Sequence, residues 1–397
     1  MDHRLPLLTG GPRDLPERQQ TLRATLAWSY ELLTPAEQAV FRRICVFAGG
    51  CALEAAEAVC AAGDGLEVDM LDWLGTLVEQ SLLRREGAAG DAPRFTLLET
   101  VREYGLERLV ESGEAEGTRA RHAAYYLALA EQAEPELLGS RQGQWLDQLE
   151  HEHGNLRAAL GWARERASGG CGLRLAAAVW RFWKVRGYLS EEQDWLEEML
   201  RCDAGAPDQV RAAALNGAGL LAWRQGDLAR TRGDHGRART LYEESLAMQR
   251  ELGPGRGLAD ALLNLGNVAF EQGEMARAGA LYEESLAAFR QSGHTWGIAI
   301  ALNNLGLVER ELGNPARAQT LLEEALTLQR GLDNTEGMAD SLSSLGELAL
   351  KRGDLTRARA LCAESLSLQR RLGGGTLGLA DGLVLLAVVA AAHTGRL

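Results

Sequence analysis

The sequence predicts a mainly α protein in two parts: a small helical domain closed by a β-hairpin, then an α-α superhelical solenoid. Two observations carry this. A block of about forty residues recurs, with ALLNLG at 261–266, ALNNLG at 301–306 and SLSSLG at 341–346, and LYEESL, LLEEAL and LCAESL at 281, 321 and 361. A fixed period of this size marks a solenoid, whose repeats bury their apolar faces only against neighbours. The first hundred residues, by contrast, do not repeat. They end in two short segments, 82–86 and 94–98, flanking a Gly/Asp/Pro loop, as a hairpin does.

Taken in order, residues 17–33 place Leu22, Leu26, Trp28, Tyr30 and Leu33 at helical spacing. Thr34-Pro35-Ala36-Glu37 is a helix start, with Thr34 as N-cap, Pro35 in the first turn and Glu37 completing a capping box. That helix carries Val40, Phe41 and Ile44 and should stop near Gly49-Gly50. Short helices over 53–61 and 67–80 precede the hairpin, which makes a winged-helix pattern over 17–112. The helix before the hairpin would be the one to enter a DNA groove. It carries Glu67, Asp69, Asp72 and Glu79, with no basic residue before Arg84. Carboxylates are repelled by phosphates, so the domain is expected to be a packing module that makes no direct contact with nucleic acid.

Residues 113–206 read as a Trp-rich helical arm, with Trp145, Trp162, Trp180, Trp183 and Trp195 as interhelical core. Helix pairs over 171–187 and 190–201 resemble degenerate repeats, and 204–208 is a plausible hinge. The array itself, 207–397, matches a tetratricopeptide pattern. Leu262, Leu265, Gly266, Ala269, Ala278, Tyr282 and Ser285 hold the small and large positions of one repeat. Glycine at 266, 306 and 346 would let the paired helices approach closely. Gly273-Glu274, Gly313-Asn314 and Gly353-Asp354 would turn between them, Gly ending one helix and the polar residue capping the next.

Two repeats depart from this. Gly226-Asp227 is followed by Gly233-Asp234, so either the first helix is longer or the turn bulges, and two glycines favour the loop. After Gly382 a further apolar first helix begins and the chain ends without its partner, which suggests truncation or self-association through that helix.

Composition excludes several functions. Residues 1–206 carry 33 acidic and 22 basic side chains and residues 207–397 carry 22 and 20, so no basic face suits a phosphate backbone. The six cysteines form no CxxC pair, and His151-Glu152-His153 spreads its imidazoles over different helix faces, so no metal is expected. The only lysines, Lys184 and Lys351, stand in no P-loop context, so no bound cofactor is expected either. With no phosphate loop, triad or metal cluster, the chain is not expected to be an enzyme. No apolar run long enough for a membrane span and no signal-peptide pattern occur, so a cytoplasmic location is expected.

Segments ERQQTLRATLAWSY at 17–30, VFAGG at 46–50, LVEQSLL at 77–83 and LETVREY at 98–104 together resemble bacterial STAND signal-transduction ATPases, the AfsR-like and LuxR-type regulators with tetratricopeptide tails. The resemblance implies a P-loop ATPase core before these segments, of which LPLLTGG at 5–11, within 1–16, looks like the trailing edge. The core would then be missing here. Related NB-ARC proteins sense ADP with the His of a Met-His-Asp motif. Leu97, Leu98 and Glu99 hold the matching positions, so that imidazole is absent.

The expected function is therefore the regulatory or sensor portion of such a protein, coupling a ligand of the repeats to a nucleotide switch. The alternative is a free-standing scaffold or oligomerisation module. A protein or peptide partner would lie on the first helix of each repeat, along Asn216, Trp223 and Arg224; Asn267, Phe270 and Glu271; Asn303, Arg310 and Glu311; and Glu347 and Lys351. Amide side chains can bond a peptide backbone, and the mixed charges would set preference.

Overall fold

The computed structural model describes residues 22–61, 69–87, 93–137, 141–166, 170–202, 205–229 and 232–371. The proposed core remnant at 1–16 and the unpaired helix after Gly382 lie outside them. The chain divides into two compact units, residues 1–210 and 211–397.

The N-terminal unit opens with α1 (Leu22–Glu31) and α2 (Pro35–Ile44). Thr34 caps α2 as its sequence requires: its hydroxyl accepts from Glu37 N, and Glu37 Oε2 accepts from Thr34 N at 2.8 Å. α2 ends at Ile44, short of Gly49, because Cys45, Val46 and Phe47 turn inward and are buried. α3 (Leu53–Cys60) and α4 (Met70–Glu79) follow, the latter capped by Asp69. The hairpin forms from β2 (Arg84–Glu86) and β3 (Arg94–Thr96). Sequence reading missed a third strand, β1 (Cys51–Ala52), which pairs antiparallel with β3 and gives the order β1-β3-β2. It is only two residues long, too short to show alternation. Phe41, Ile44, Phe47, Val59, Leu74, Leu77 and Phe95 fill the core beneath.

Among the described residues the unit continues with six helices: α5 (Glu99–Glu111), α6 (Ala115–Glu136), α7 (Gln142–His151), α8 (His153–Arg166), α9 (Cys171–Arg186) and α10 (Leu189–Cys202). Trp145, Trp180 and Trp183 are buried among them, as core should be, whereas Trp162 and Trp195 are half-buried.

The repeats pair α11 (Asp208–Ala229) with α12 (Arg232–Leu252), α13 (Arg256–Glu271) with α14 (Met275–Ser292), α15 (Thr295–Glu311) with α16 (Pro315–Gly331), and α17 (Thr335–Lys351) with α18 (Leu355–Arg371). The turn glycines 273, 313 and 353 all take positive φ, and the following amide returns to the closing helix, as Glu274 N does to Ala269 O at 2.8 Å. Capping by the next residue is partial. Asp354 caps Arg357 N at 3.0 Å, while Glu274 and Asn314 cap nothing with their side chains. The first repeat corrects the expected loop. Gly226-Asp227 lies inside α11 and Gly233-Asp234 inside α12, so the extra residues lengthen both helices. An interior glycine costs a helix only about 1 kcal/mol relative to Ala, which is less than leaving a turn of backbone unpaired.

Candidate functional sites in the two units

The repeat array presents its first helices, α11, α13, α15 and α17, as one set and its second helices as another. Close approach within each repeat sets their spacing. A Cβ on Gly266 would stand 2.5 Å from the Tyr282 ring, and one on Gly306 2.8 Å from Leu322. Ser245, Ser285 and Ser365 on the second helices donate to carbonyls of Ala212, Ala259 and Ala339 on the first at 2.7–2.8 Å.

On the first-helix face each of the three predicted asparagines uses its side-chain oxygen within the array. Asn216 Oδ1 accepts from Asn264 Nδ2 at 3.0 Å, and Asn267 Oδ1 accepts from Asn304 Nδ2 at 2.9 Å and from Tyr282 OH at 2.8 Å. Asn303 Oδ1 accepts from Ser341 Oγ at 2.9 Å. Each carboxamide thus spends its oxygen on the next repeat or its own second helix. Its amide nitrogen has no partner among the described residues.

The charged positions are placed differently. Arg310 is largely buried and held by Glu311 at 3.0 Å and by Glu347, so these three predicted residues form one ion-paired group across two repeats. Lys351 is exposed and Glu271 is exposed on its own repeat. Phe270 packs partly buried against the core of its repeat, and Trp223 does so one repeat earlier with its indole N–H buried and unpartnered. The Arg224 side chain lies outside the described residues.

The N-terminal unit holds a second site, a buried polar joint where the wing meets the arm. Arg94 of β3 donates to Gly50 O at 3.1 Å and His151 O at 2.9 Å, and pairs with Glu152. Glu152, buried between α7 and α8, also accepts from Tyr126 OH at 2.8 Å and Asn155 Nδ2 at 2.7 Å. Asn155 Oδ1 accepts from Ala48 N at 2.7 Å and faces His122 Nε2 at 3.3 Å, so Nε2 carries the proton. Burial pushes the His122 imidazole down to about 4, which keeps it neutral at physiological pH.

Tetratricopeptide repeat models match residues 210–291, 257–331 and 303–372, and a winged helix-turn-helix domain model matches residues 33–110. The fold is a winged helix followed by tetratricopeptide repeats. Proteins of Mycobacterium bovis and Mycobacterium tuberculosis named as candidate HTH-type transcriptional regulators are 38% identical over 271 residues, covering 67% of this chain and 30% of each relative. The chain therefore spans 30% of the length of those curated relatives. Among solved structures, a STAND protein with a tetratricopeptide sensor from Pyrococcus horikoshii is 12% identical with a TM-score of 0.40, covering 95% of this chain and 67% of that one. The apo form of RapI is 13% identical with a TM-score of 0.47, over 68% and 97%.

Within this winged-helix and tetratricopeptide architecture, sequence reasoning proposed a first-helix face on the array and missed the joint. Glu152 was visible only as the middle of His151-Glu152-His153, weighed as metal ligands. The available signal was spacing: His122 and Tyr126 stand one turn apart on α6, and Glu152 and Asn155 are three residues apart. Among the described residues no cluster of three metal-ligating side chains occurs, and no helix is long and apolar enough to cross a membrane.

Proposed function

We propose that this chain is the regulatory portion of a STAND-type signal-transduction protein, whose repeats bind an extended protein or peptide segment. The winged helix and arm relay that binding to a nucleotide switch elsewhere in the whole protein. The observation that carries the reading is the set of amide donors at Asn216, Asn267 and Asn303, one per repeat along α11, α13 and α15, that have no partner among the described residues. Donors in such a row suit the carbonyls of an extended segment, which supplies one acceptor per residue whatever its sequence. Matches to tetratricopeptide and winged-helix models and relatives named as candidate regulators support the same reading.

The winged helix acts in this proposal as a relay and not as a DNA reader. α4 carries Asp72 and Glu79 behind the Asp69 cap and no cation, and Arg84 and Arg85 sit on the exposed β2 strand instead. The joint through Arg94 and Glu152 supports a mechanical role, because it ties the wing to the arm by groups that cannot separate without leaving buried charge.

Replacing both Asn267 and Asn303 by Asp keeps the oxygen that the next repeat needs and removes the free donor. Peptides selected from a random displayed library on the unmodified chain should lose binding to this double variant, whose melting temperature stays within a few degrees. Full retention of peptide binding would overturn the assignment of the face.

A further inference from the structure

A cavity of about 560 Å³ opens in the N-terminal unit between the Val46–Ala48 turn and α5 on one side and α6, α8 and α10 on the other. It is distinct from the repeat face, and its volume is that of a small-molecule site. Among the described residues four guanidinium groups line it, Arg102, Arg119, Arg157 and Arg164, against one carboxylate, Glu165. This is opposite to its surroundings, since residues 1–206 hold 33 acidic and 22 basic side chains. The clustering is local and the lining is cationic.

The donors there are not all used. Arg102 is tied to Glu99 at 2.8 Å, and Arg164 stands 3.5 Å from Glu198 with its guanidinium 5.3 Å over the Trp195 ring. Half-buried Arg119 has no ion-pair or hydrogen-bond partner among the described residues. The Trp162 indole N–H, also at the cavity, is buried with no acceptor among the described residues. Arg119 and the Trp162 indole thus leave donors that a ligand rich in acceptors would satisfy. Guanidinium groups match phosphate oxygens in paired, planar geometry, and Trp162 and Trp195 offer flat apolar faces beside them.

We propose that this cavity binds a small phosphate monoester carrying a ring, its phosphate held by Arg119 and Arg157 and its ring against Trp162 and Trp195. A ligand seated there would touch the turn after α2, the start of the arm and α10 together, and so would bias how the winged helix packs on the arm. The reading does not depend on the repeat face.

The test is calorimetric titration of the whole chain with phenyl phosphate, inorganic phosphate and phenol. Phenyl phosphate should bind one to one, with phenol at least about tenfold weaker, a difference of about 1.4 kcal/mol. Arg119→Gln should weaken phenyl phosphate at least about tenfold, as expected for loss of a charge-assisted pair. Arg157→Gln, at an exposed position, should weaken it without affecting folding. Arg174→Gln, which removes a surface partner of Glu131 away from the cavity, should change nothing. Inorganic phosphate binding equally well, and lost in the Arg119 and Arg157 variants, would support the phosphate site with the free anion as its source. No heat from either phosphate probe, or binding unchanged in both variants, would overturn the proposal.

Discussion

Arg290 Nη2 lies 3.1 Å from a carboxylate oxygen of Glu324, its partner thirty-four residues on and one repeat away. The same pair recurs as Arg250–Glu284 at 3.1 Å and Arg330–Glu364 at 2.9 Å. A second row points backwards: Arg277–Glu243, Arg317–Glu283 and Arg357–Glu323, at 2.7–3.0 Å. Both rows join second helices, so that face of the array is occupied by its own ion pairs. These groups are about half exposed, and such pairs are individually weak and screened by salt. Arg290→Gln should therefore cost about 0.5 kcal/mol or less. Replacing Arg250, Arg290 and Arg330 together should cost more in dilute buffer than in about 1 M salt, where the Debye length falls to about 3 Å. Urea midpoints at the two salt concentrations decide it; an equal loss in both would mean the rows contribute through packing alone.

Glycines that look alike in sequence should respond oppositely to alanine. Gly266 faces the Tyr282 ring at a distance no Cβ tolerates, and that ring is buried and hydrogen-bonded to Asn267. Gly266→Ala should destabilise the array by about 1–3 kcal/mol, the cost of overpacking. Gly75, exposed in the middle of α4, has nothing within 4 Å of its would-be Cβ, so Gly75→Ala should stabilise the N-terminal unit by about 0.5–1 kcal/mol. Equilibrium unfolding of each variant reads the sign directly.

The contrast shows what the sequence could convey. Helix pairs, their turns and the glycine contacts were legible because a repeat prints the same packing problem three times, and three answers reveal the rule. The capping box of α2 was legible because all its atoms lie within four residues. β1 was not, since two residues make a strand only by pairing with Phe95 and Arg94, more than forty positions away. The asparagine row was legible as a set of positions, but not the split use of each amide, which depends on Ser341, Asn264 and Asn304 of neighbouring repeats. The joint was hidden for the same reason: Arg94, Tyr126, Glu152 and Asn155 are ordinary singly, and only the fold brings them together.

His122 should make the N-terminal unit acid-sensitive. Its folded pKa of about 4 lies below the unfolded value near 6.5, so the unfolded chain binds the proton first. Stability is then fully present above about pH 6.5 and falls as pH drops toward 4, by up to about 3 kcal/mol in all. His122→Gln keeps a donor toward Asn155 and removes the titration. The variant's stability should change less between pH 6.5 and 4 than the parent's in paired urea titrations, and parallel pH profiles would show that other groups carry the acid response.

Removing charge from the joint tests whether wing and arm are one cooperative piece. Glu152→Gln is nearly isosteric, but it leaves Arg94, mostly sequestered between Gly50, His151 and the arm, without its counter-charge. Breaking one side of a buried pair costs about 3–5 kcal/mol, because the remaining charge has lost both water and partner. Arg94→Met together with Glu152→Gln should recover part of that loss, since no lone charge remains. Hydrogen exchange of β1–β3 and of α8 locates the effect. If the joint couples the two, exchange in the strands and in α8 rises together in the single variant and subsides together in the double. A rise confined to the strands would mean that the wing opens independently of the arm, and the relay assigned to the winged helix would lose its physical link.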